Sequence, residues 1–299
     1  MLDLHRLRLL RELKHRGTLA AVAAALSYSP STISAQLAQL EREIGVPLLA
    51  PVGRRVRLTP EAELLVHHVE AIIEQLERAE ADLARFRTVL AGDLGIATFQ
   101  TAAKTLVLPA LTRLNRDHPG LRVHLSQQEP QRALPALLAH DYDLVLAEEY
   151  PGDHHPQLPG VHTELLTQDA LRLATPPGTA PPALESLVDR AWVMEPEGTA
   201  ARRWALGVCR RSGFEPDIRY QSADLTLHIS LIEEGHAVGF LPDLVWGTEA
   251  PTVTLTDLPP PNVRHILIAA RSGAHRHPFI DAARTALGHV SQTVGRGGG

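Results

Sequence analysis

Ser29-Pro30-Ser31-Thr32-Ile33-Ser34-Ala35-Gln36-Leu37-Ala38-Gln39-Leu40-Glu41-Arg42-Glu43-Ile44-Gly45 reads as one complete helix with its own start and stop. Ser29 supplies an N-cap hydroxyl, and Pro30 fills the first helical position, where a missing N–H costs nothing. Gly45 closes the helix. Ile33, Leu37, Leu40 and Ile44 fall at i, i+4, i+7 and i+11 and form one buried stripe. The opposite face near the N-terminus carries Ser31, Thr32, Ser34, Ala35 and Gln36, all small or polar. A capped surface helix would look the same, so the flanking segments decide between the two readings.

Upstream, Leu4, Leu7, Leu10 and Leu13 alternate with five basic residues in a helical pattern that Gly17 ends. Thr18 then caps a short Ala-rich helix through Leu26, and Ser27-Tyr28-Ser29 makes a tight turn into the quoted helix. Two helices joined by a short turn, the second with a small polar N-terminal face, suit a major groove, because bulk there would keep the helix from the bases. Ser and Thr reach base edges and phosphates, and the Gln36 amide suits adenine. Downstream, Val46 to Leu58 reads as a hairpin turning near Val52-Gly53, with Arg54, Arg55 and Arg57 on the return strand. This is a wing. The expected DNA-contacting set is Ser29, Ser31, Thr32, Ser34, Gln36, Arg54 and Arg55.

Charge distribution agrees with that reading. The net charge is −5, yet residues 1–59 carry nine Lys/Arg against four Asp/Glu, and the excess of acid lies beyond them. A basic end on an acidic body is the footprint of a protein that presents one end to phosphates.

Thr59-Pro60-Glu61 opens another helix. Leu65, Val69, Ile72, Leu76, Ala79, Leu83, Phe86 and Leu90 alternate spacings of four and three, and no Gly or Pro intervenes before Gly92. The expectation is a helix from Pro60 to Ala91 with a dimerisation seam at Leu65, Val69, Ile72, Leu76, Leu83, Phe86 and Leu90. A long helix lying on its own C-terminal domain is the alternative. From Gly92 onward strand-like and helix-like segments alternate, which predicts a parallel sheet with helices on both faces.

The remaining bulk properties exclude several classes. At 299 residues the chain holds more than one core, and 44% hydrophobic content with 4% aromatics makes those cores aliphatic. Cys209 is the only cysteine, which rules out an intrachain disulfide and suits a reducing compartment. No stretch approaches the ~20 apolar residues of a membrane span, so a cytoplasmic protein without a membrane partner is expected. The Glu148-Glu149 pair lacks any Ser/His/Asp, phosphate-loop or HExxH companion. An enzyme is the rival reading, and an architectural DNA binder without a ligand is a third. Sixteen histidines suggest metal sensing, but His154-His155 and His275/His277 have no matching ligand framework. No metal or cofactor is expected.

The stretch Thr18 to Leu26, then Ser29 to Ser34, Leu37-Ala38-Gln39-Leu40-Glu41 and Gly45-Val46-Pro47-Leu48-Leu49 resembles the DNA-binding module of LysR-type regulators. The likeness continues at Leu108-Pro109, His118-Pro119, Tyr142-Asp143-Leu144 and Glu234 to Pro242. The chain departs from the family where Pro51, Glu61-Ala62 and Ala35 stand in place of its usual arginine, Ala-Gly pair and basic residue. The resemblance implies an α/β protein with a winged helix-turn-helix over 1–59, a linker helix over 60–91 and an effector domain over 92–294. That domain would have the two-lobed fold of periplasmic binding proteins, with subdomain I at 92–163 and 268–294 and subdomain II at 164–267. It further implies a dimer or tetramer, double-stranded operator DNA as partner, and a small-molecule effector between the lobes.

Ligands in open α/β sheets sit beyond the carboxyl ends of strands, often at helix N-termini. Phe99, Gln100 and Thr101 follow the first strand, Gln128 and Glu129 the second, and Glu148 the third. Across the cleft, Thr199, Arg202 and Asp224 begin helices. These nine residues are the expected effector contacts.

Overall fold

The computed structural model describes residues 2–53, 55–153 and 158–294. Three helices, α1 (Leu4–Arg16), α2 (Leu19–Ala25) and α3 (Pro30–Ile44), precede a hairpin of β1 (Leu49–Val52) and β2 (Arg55–Leu58). Each helix starts as its sequence dictates. The Asp3 carboxylate accepts from the N–H of His5, the Thr18 hydroxyl from Ala21, and the Ser29 hydroxyl from Thr32. Gly17 and Gly45 end α1 and α3 at φ 76° and 79°, the left-handed conformation that favours glycine. Ile33, Leu37 and Leu40 are buried against Leu7, Leu10, Leu13 and Val22, and Ile44 packs at the edge of the same core. Replacing Leu37 by Ala would cost roughly 2–5 kcal/mol.

Thr59 caps α4 (Pro60–Ala84) by accepting from the N–H of Ala62, and its hydroxyl donates to the Pro47 carbonyl. The helix stops at Ala84, seven residues short of the expected Ala91, so Phe86 and Leu90 follow it in irregular chain. The seam is corrected as well. Val69 is fully buried in the core of the N-terminal module and so is not a free dimer contact, while Leu65 is half-buried against the same core. The stripe that stays outward is Ile72, Leu76 and Leu83, with Phe86 beyond the helix end.

The opposite face of α4 rests on the C-terminal domain. Glu77 accepts from Arg271 Nε at 2.6 Å, and the turn at Gly273 runs directly against the helix. A Cβ at residue 273 would lie 2.5 Å from the Glu74 carbonyl oxygen, which belongs to a rigid helical backbone. Gly273→Ala is therefore expected to destabilise the chain by about 1–3 kcal/mol, read as a lowered Tm. An unchanged Tm would mean that helix and turn are not in contact.

In the C-terminal domain, β3 (Gly92–Thr98) pairs in parallel with β4 (Leu121–Gln127) and β5 (Leu144–Glu149). Leu94 and Ile96 face the core under α5 (Gln100–Ala102), α6 (Leu108–Asp117) and α10 (Pro278–Val294), while Ala97 faces α7 (Pro130–Leu138). This is lobe I. Lobe II contains β7 (Ala191–Met194) parallel to β8 (Asp217–Gln221), α8 (Ala200–Arg211), α9 (Leu225–Glu233), β9 (Gly239–Pro242) and β10 (Thr254–Asp257). Its core is built on Trp192, Trp204, Phe214 and Cys209 in one cluster and Leu225, Ile232 and Trp246 in another.

Two long strands join the lobes. The first part of β6 (Val161–Thr175) pairs antiparallel with β11 (Val263–Arg271), and its last part pairs with β9 and β10. The sheet order is β10-β6-β11-β5-β3-β4, with β9 also on β6. The sheet is thus mixed rather than parallel. A chain that leaves lobe I along β6 must return along β11 in the opposite direction, and that return sets the antiparallel half.

Candidate DNA-reading face and effector cleft

Ser31, Thr32 and Ser34 are exposed on the first turns of α3. Ser29 is exposed too, but its hydroxyl is engaged as the cap and lies 2.7 Å from Ser31 Oγ and 2.8 Å from Thr32 Oγ1. Gln36 is half-buried, and its Oε1 accepts from Arg6 Nε at 3.0 Å. Arg6 also pairs with Glu43 and thereby fixes the amide's orientation. The wing is a tight hairpin in which Val52 opposes Arg55. Arg54 lies outside the described residues; Arg55 is in β2, and Arg57 is exposed.

The reading head is held to lobe I through α1. Arg11 Nη2 donates to the Leu138 carbonyl at 2.6 Å, and Arg16 Nη2 donates to the Ala139 carbonyl at 2.8 Å and to Asp141 at 2.7 Å. Both carbonyls belong to the C-terminal end of α7, the negative end of its dipole.

At the carboxyl ends of β3 and β5, where β6 and β11 cross between the lobes, lies a buried polar cluster centred on Arg264. Arg264 and Asp169 are opposed residues in the β11/β6 register. Arg264 Nε and Nη2 reach Asp169 Oδ2 at 2.8 and 2.7 Å, Nη1 reaches Glu148 and the Tyr150 hydroxyl, and Nη2 reaches Thr101 Oγ1 at 2.9 Å. The guanidinium lies over the Phe99 and Tyr150 rings at 5.3 and 5.9 Å. Asp169 Oδ1 also accepts from the N–H of Leu244 at 2.8 Å.

Carboxyls outnumber the single cation here, and burial acts on all of them. Burial pushes Glu148 up to about 7 against the opposing pull of Arg264, with Glu129 and Asp169 pushing the same way as burial. Glu195, at the end of the strand carrying Met194, is pushed up to about 8 by burial and by the charges of Glu148 and Glu129. Burial also raises Glu129, Asp169 and Tyr150.

The predicted effector residues are thus sorted by geometry. Phe99, Thr101 and Glu148 meet on Arg264, and Glu129 joins them electrostatically. Gln100 instead spans the lobes: its Nε2 donates to Asp224 Oδ1 at 2.7 Å and its Oε1 accepts from the N–H of Leu225, at the start of α9, at 3.0 Å. Thr199 caps α8 by accepting from the N–H of Arg202, and Arg202 Nη1 donates to the Glu195 carbonyl at 3.0 Å. Thr199 and Arg202 therefore brace Glu195. Gln128 is half-buried beside Glu129. Sequence reasoning missed Arg264, Asp169 and Glu195. The available signal was Arg264 itself, the one charged residue on the strand face shared with Ile266 and Ile268.

Cys209 is fully buried in lobe II, and burial pushes its thiol up to about 12, so almost no thiolate exists near neutral pH. In the folded protein, Cys209 is expected to react with an aromatic disulfide reagent only as fast as lobe II opens. Rapid stoichiometric labelling without loss of structure would contradict this. Among the described residues no group of His, Cys, Asp and Glu is arranged to hold a metal ion, and no helix is long and apolar enough to cross a membrane.

Residues 4–63 match the family model described as a bacterial regulatory helix-turn-helix protein of the lysR family, and residues 87–292 match the LysR substrate binding domain. The transcriptional activator IlvY of Salmonella typhimurium is 26% identical over 287 residues, covering 93% of this chain and 92% of that protein. The transcriptional dual regulator GltC of Bacillus subtilis is 24% identical over 260 residues, 85% of each chain. Among solved structures, a full-length OxyR variant from Pseudomonas aeruginosa has a TM-score of 0.70 at 20% identity, covering 96% of this chain and 95% of that one. Full-length CbnR in complex with its target DNA has a TM-score of 0.53 at 22% identity, covering 97% of this chain and 99% of that one. With a DNA-reading module at one end, an effector domain over most of the remainder and both matched in order, the chain belongs to the LysR family of transcriptional regulators.

Proposed function

We propose that this regulator reads operator DNA with Ser31, Thr32, Ser34 and Gln36 of α3 and with Arg54 and Arg55 of the wing, and that it responds to an effector held between the lobes by Thr101, Glu129, Glu148 and Arg264. It acts by binding and not by turnover, in the cytoplasm. Residues 1–59 form the reading module, the segment to residue 91 the linker, and 92–294 the effector domain. The observation that carries the effector half is the Arg264 cluster. A buried ion cluster is weak support for stability, since apolar packing of the same volume would do as well. Several carboxyls with raised pKa values at strand ends between two lobes are instead the usual mark of a binding site. Gln100, bridging to Asp224 and Leu225, sits where closure of the lobes is made or broken. Effector binding changes that closure and, through the grip of α7 on Arg11 and Arg16, the placement of the reading heads.

Genome-wide mapping of bound sites yields the operator, and binding to it tests the head. Arg54→Ala with Arg55→Ala should weaken binding to every duplex and flatten the slope of log K against log salt by about two, at ~0.9 per phosphate contact. Gln36→Ala should relax sequence preference with little change in salt dependence. Operator binding left intact by all three replacements would mean that another surface reads DNA.

A further inference from the structure

Beside the Arg264 cluster, within lobe II, is a cavity of about 30 Å³ walled by Tyr150, Glu195, Trp204, Leu225, His228 and Phe240, among others. That is room for a group of one or two heavy atoms. Two of its walls carry polar atoms with no hydrogen-bond partner: Trp204 Nε1 and His228 Nδ1, on side chains of residues only 5% and 2% exposed. Buried polar groups are nearly always paired, and the described residues supply neither atom with a partner.

The chemistry of that occupant follows from the two atoms. Indole Nε1 only donates. His228 Nε2 lies 2.8 Å from the Ser222 carbonyl oxygen, which only accepts, so Nε2 carries the ring proton. Burial lowers the pKa of His228 and keeps the ring neutral, which leaves Nδ1 as a bare acceptor. An occupant that satisfies both atoms must accept from one wall and donate to the other. A hydroxyl does this. A carboxylate only accepts, and an ammonium only donates.

Charge narrows the class further. Arg264 donates to Asp169, Glu148, Tyr150 and Thr101, and its Nη2 lies 2.7 Å from Asp169 Oδ2 as an ion pair, so its charge is matched by two carboxyls. Arg202 stands behind Glu195 on that residue's carbonyl, and its unpartnered Nε does not line the cavity. Glu195 lines the cavity and, among the described residues, no Arg or Lys does, so an anionic group seated there would meet a carboxyl and no counter-charge.

We infer that the cleft selects an uncharged or cationic small alcohol, a polyol or amino alcohol, and seats one of its hydroxyls between Trp204 Nε1 and His228 Nδ1. This rests on the cleft being the effector site. The test uses the full-length protein, thermal unfolding and titration calorimetry, and a matched set of probes: ethanolamine, ethylene glycol, ethylenediamine and glycolate. The two neutral or cationic alcohols should stabilise the protein saturably at millimolar concentration, and the diamine and the hydroxy acid should not. Trp204→Phe keeps the ring and removes only the N–H, so it should weaken ethanolamine binding about tenfold, the scale of one buried hydrogen bond. Circular dichroism confirms that this variant is folded.

Tighter binding of glycolate than of the alcohols, or alcohol binding unchanged by Trp204→Phe, overturns the assignment. Failure of every probe to bind also overturns it, leaving the cavity to a solvent molecule. Thr101→Val tests the cleft separately. If it abolishes binding of any probe, the cleft remains the effector site even where the alcohol assignment has failed. Probe binding untouched by both Thr101→Val and Trp204→Phe removes the cleft reading as well.

Discussion

Replacing Arg264 with Met is expected to lower stability by about 3–5 kcal/mol, the range for removing one partner from a buried ion pair. Methionine approximates the length of the stem, so the loss comes from the guanidinium. Asp169 and Glu148 would be left buried against each other, and Tyr150 and Thr101 would lose a donor. Arg264→Lys does not rescue the site, because one compact ammonium cannot span acceptors on β3's loop, β5 and β6 that the planar fork reaches together.

The pH dependence identifies the cause. Glu195 and Glu148 titrate near 8 and 7 in the folded chain, above the value near 4.5 of an unfolded glutamate. Between those values the native state holds protons that the unfolded state has released, so these groups make stability fall as pH rises from about 4.5 to 8. Glu195→Gln should flatten that slope. Removing Arg264 raises the carboxyls further, so the deficit of Arg264→Met should be smaller at acid pH than at pH 8. Denaturant unfolding across the range measures both. A deficit independent of pH would mean that the cluster is held by packing and not by charge.

This cluster also marks the limit of what the chain spells out locally. Helix α3 was legible with its bounds because its information is local: a cap, a proline, a stripe at helical spacing and a terminal glycine all lie within residues 29–45. Glu148, Phe99 and Thr101, singled out from the rule that ligands gather at strand ends, lie together on Arg264. Arg264 and Asp169 lie 95 residues apart and meet only because β6 and β11 run antiparallel, a pairing no local pattern encodes. The early part of β6 is polar and half-exposed, so its alternation was too weak to read as strand. Gln100 is expected as an effector contact because it follows the first strand; that its side chain reaches Asp224 and the N–H of Leu225 across the cleft is set by the folding of lobe II and not by the local pattern. The end of α4 was overestimated because helical spacing of apolar residues continues past Ala84, although Arg85 to Ala91 contain no helix.

Ile72→Glu combined with Leu83→Glu should convert the regulator to single subunits and weaken operator binding by about 10²–10⁴-fold, the gain that linking two reading heads supplies. Ile72, Leu76 and Leu83 recur at helical spacing on one outward stripe of α4; Ile72 is 46% and Leu83 69% exposed in the single chain, and Phe86 beyond the helix is 83% exposed. Large apolar side chains in such a row are the mark of an unpartnered interface. The helix itself does not depend on them, because its opposite face is held by Glu77 on Arg271 and by the turn at Gly273. Two exposed substitutions should therefore change subunit stability by less than ~1 kcal/mol in total. At an isologous seam both subunits carry each substitution, so every buried acid is counted twice per interface. Val69→Glu provides the contrast, since Val69 lies in the core of the reading head and its replacement should unfold that module. Sedimentation equilibrium and duplex titration on folded protein decide the matter. An unchanged mass would mean that the subunits associate through another face, and unchanged operator affinity in a proven monomer would mean that one reading head suffices.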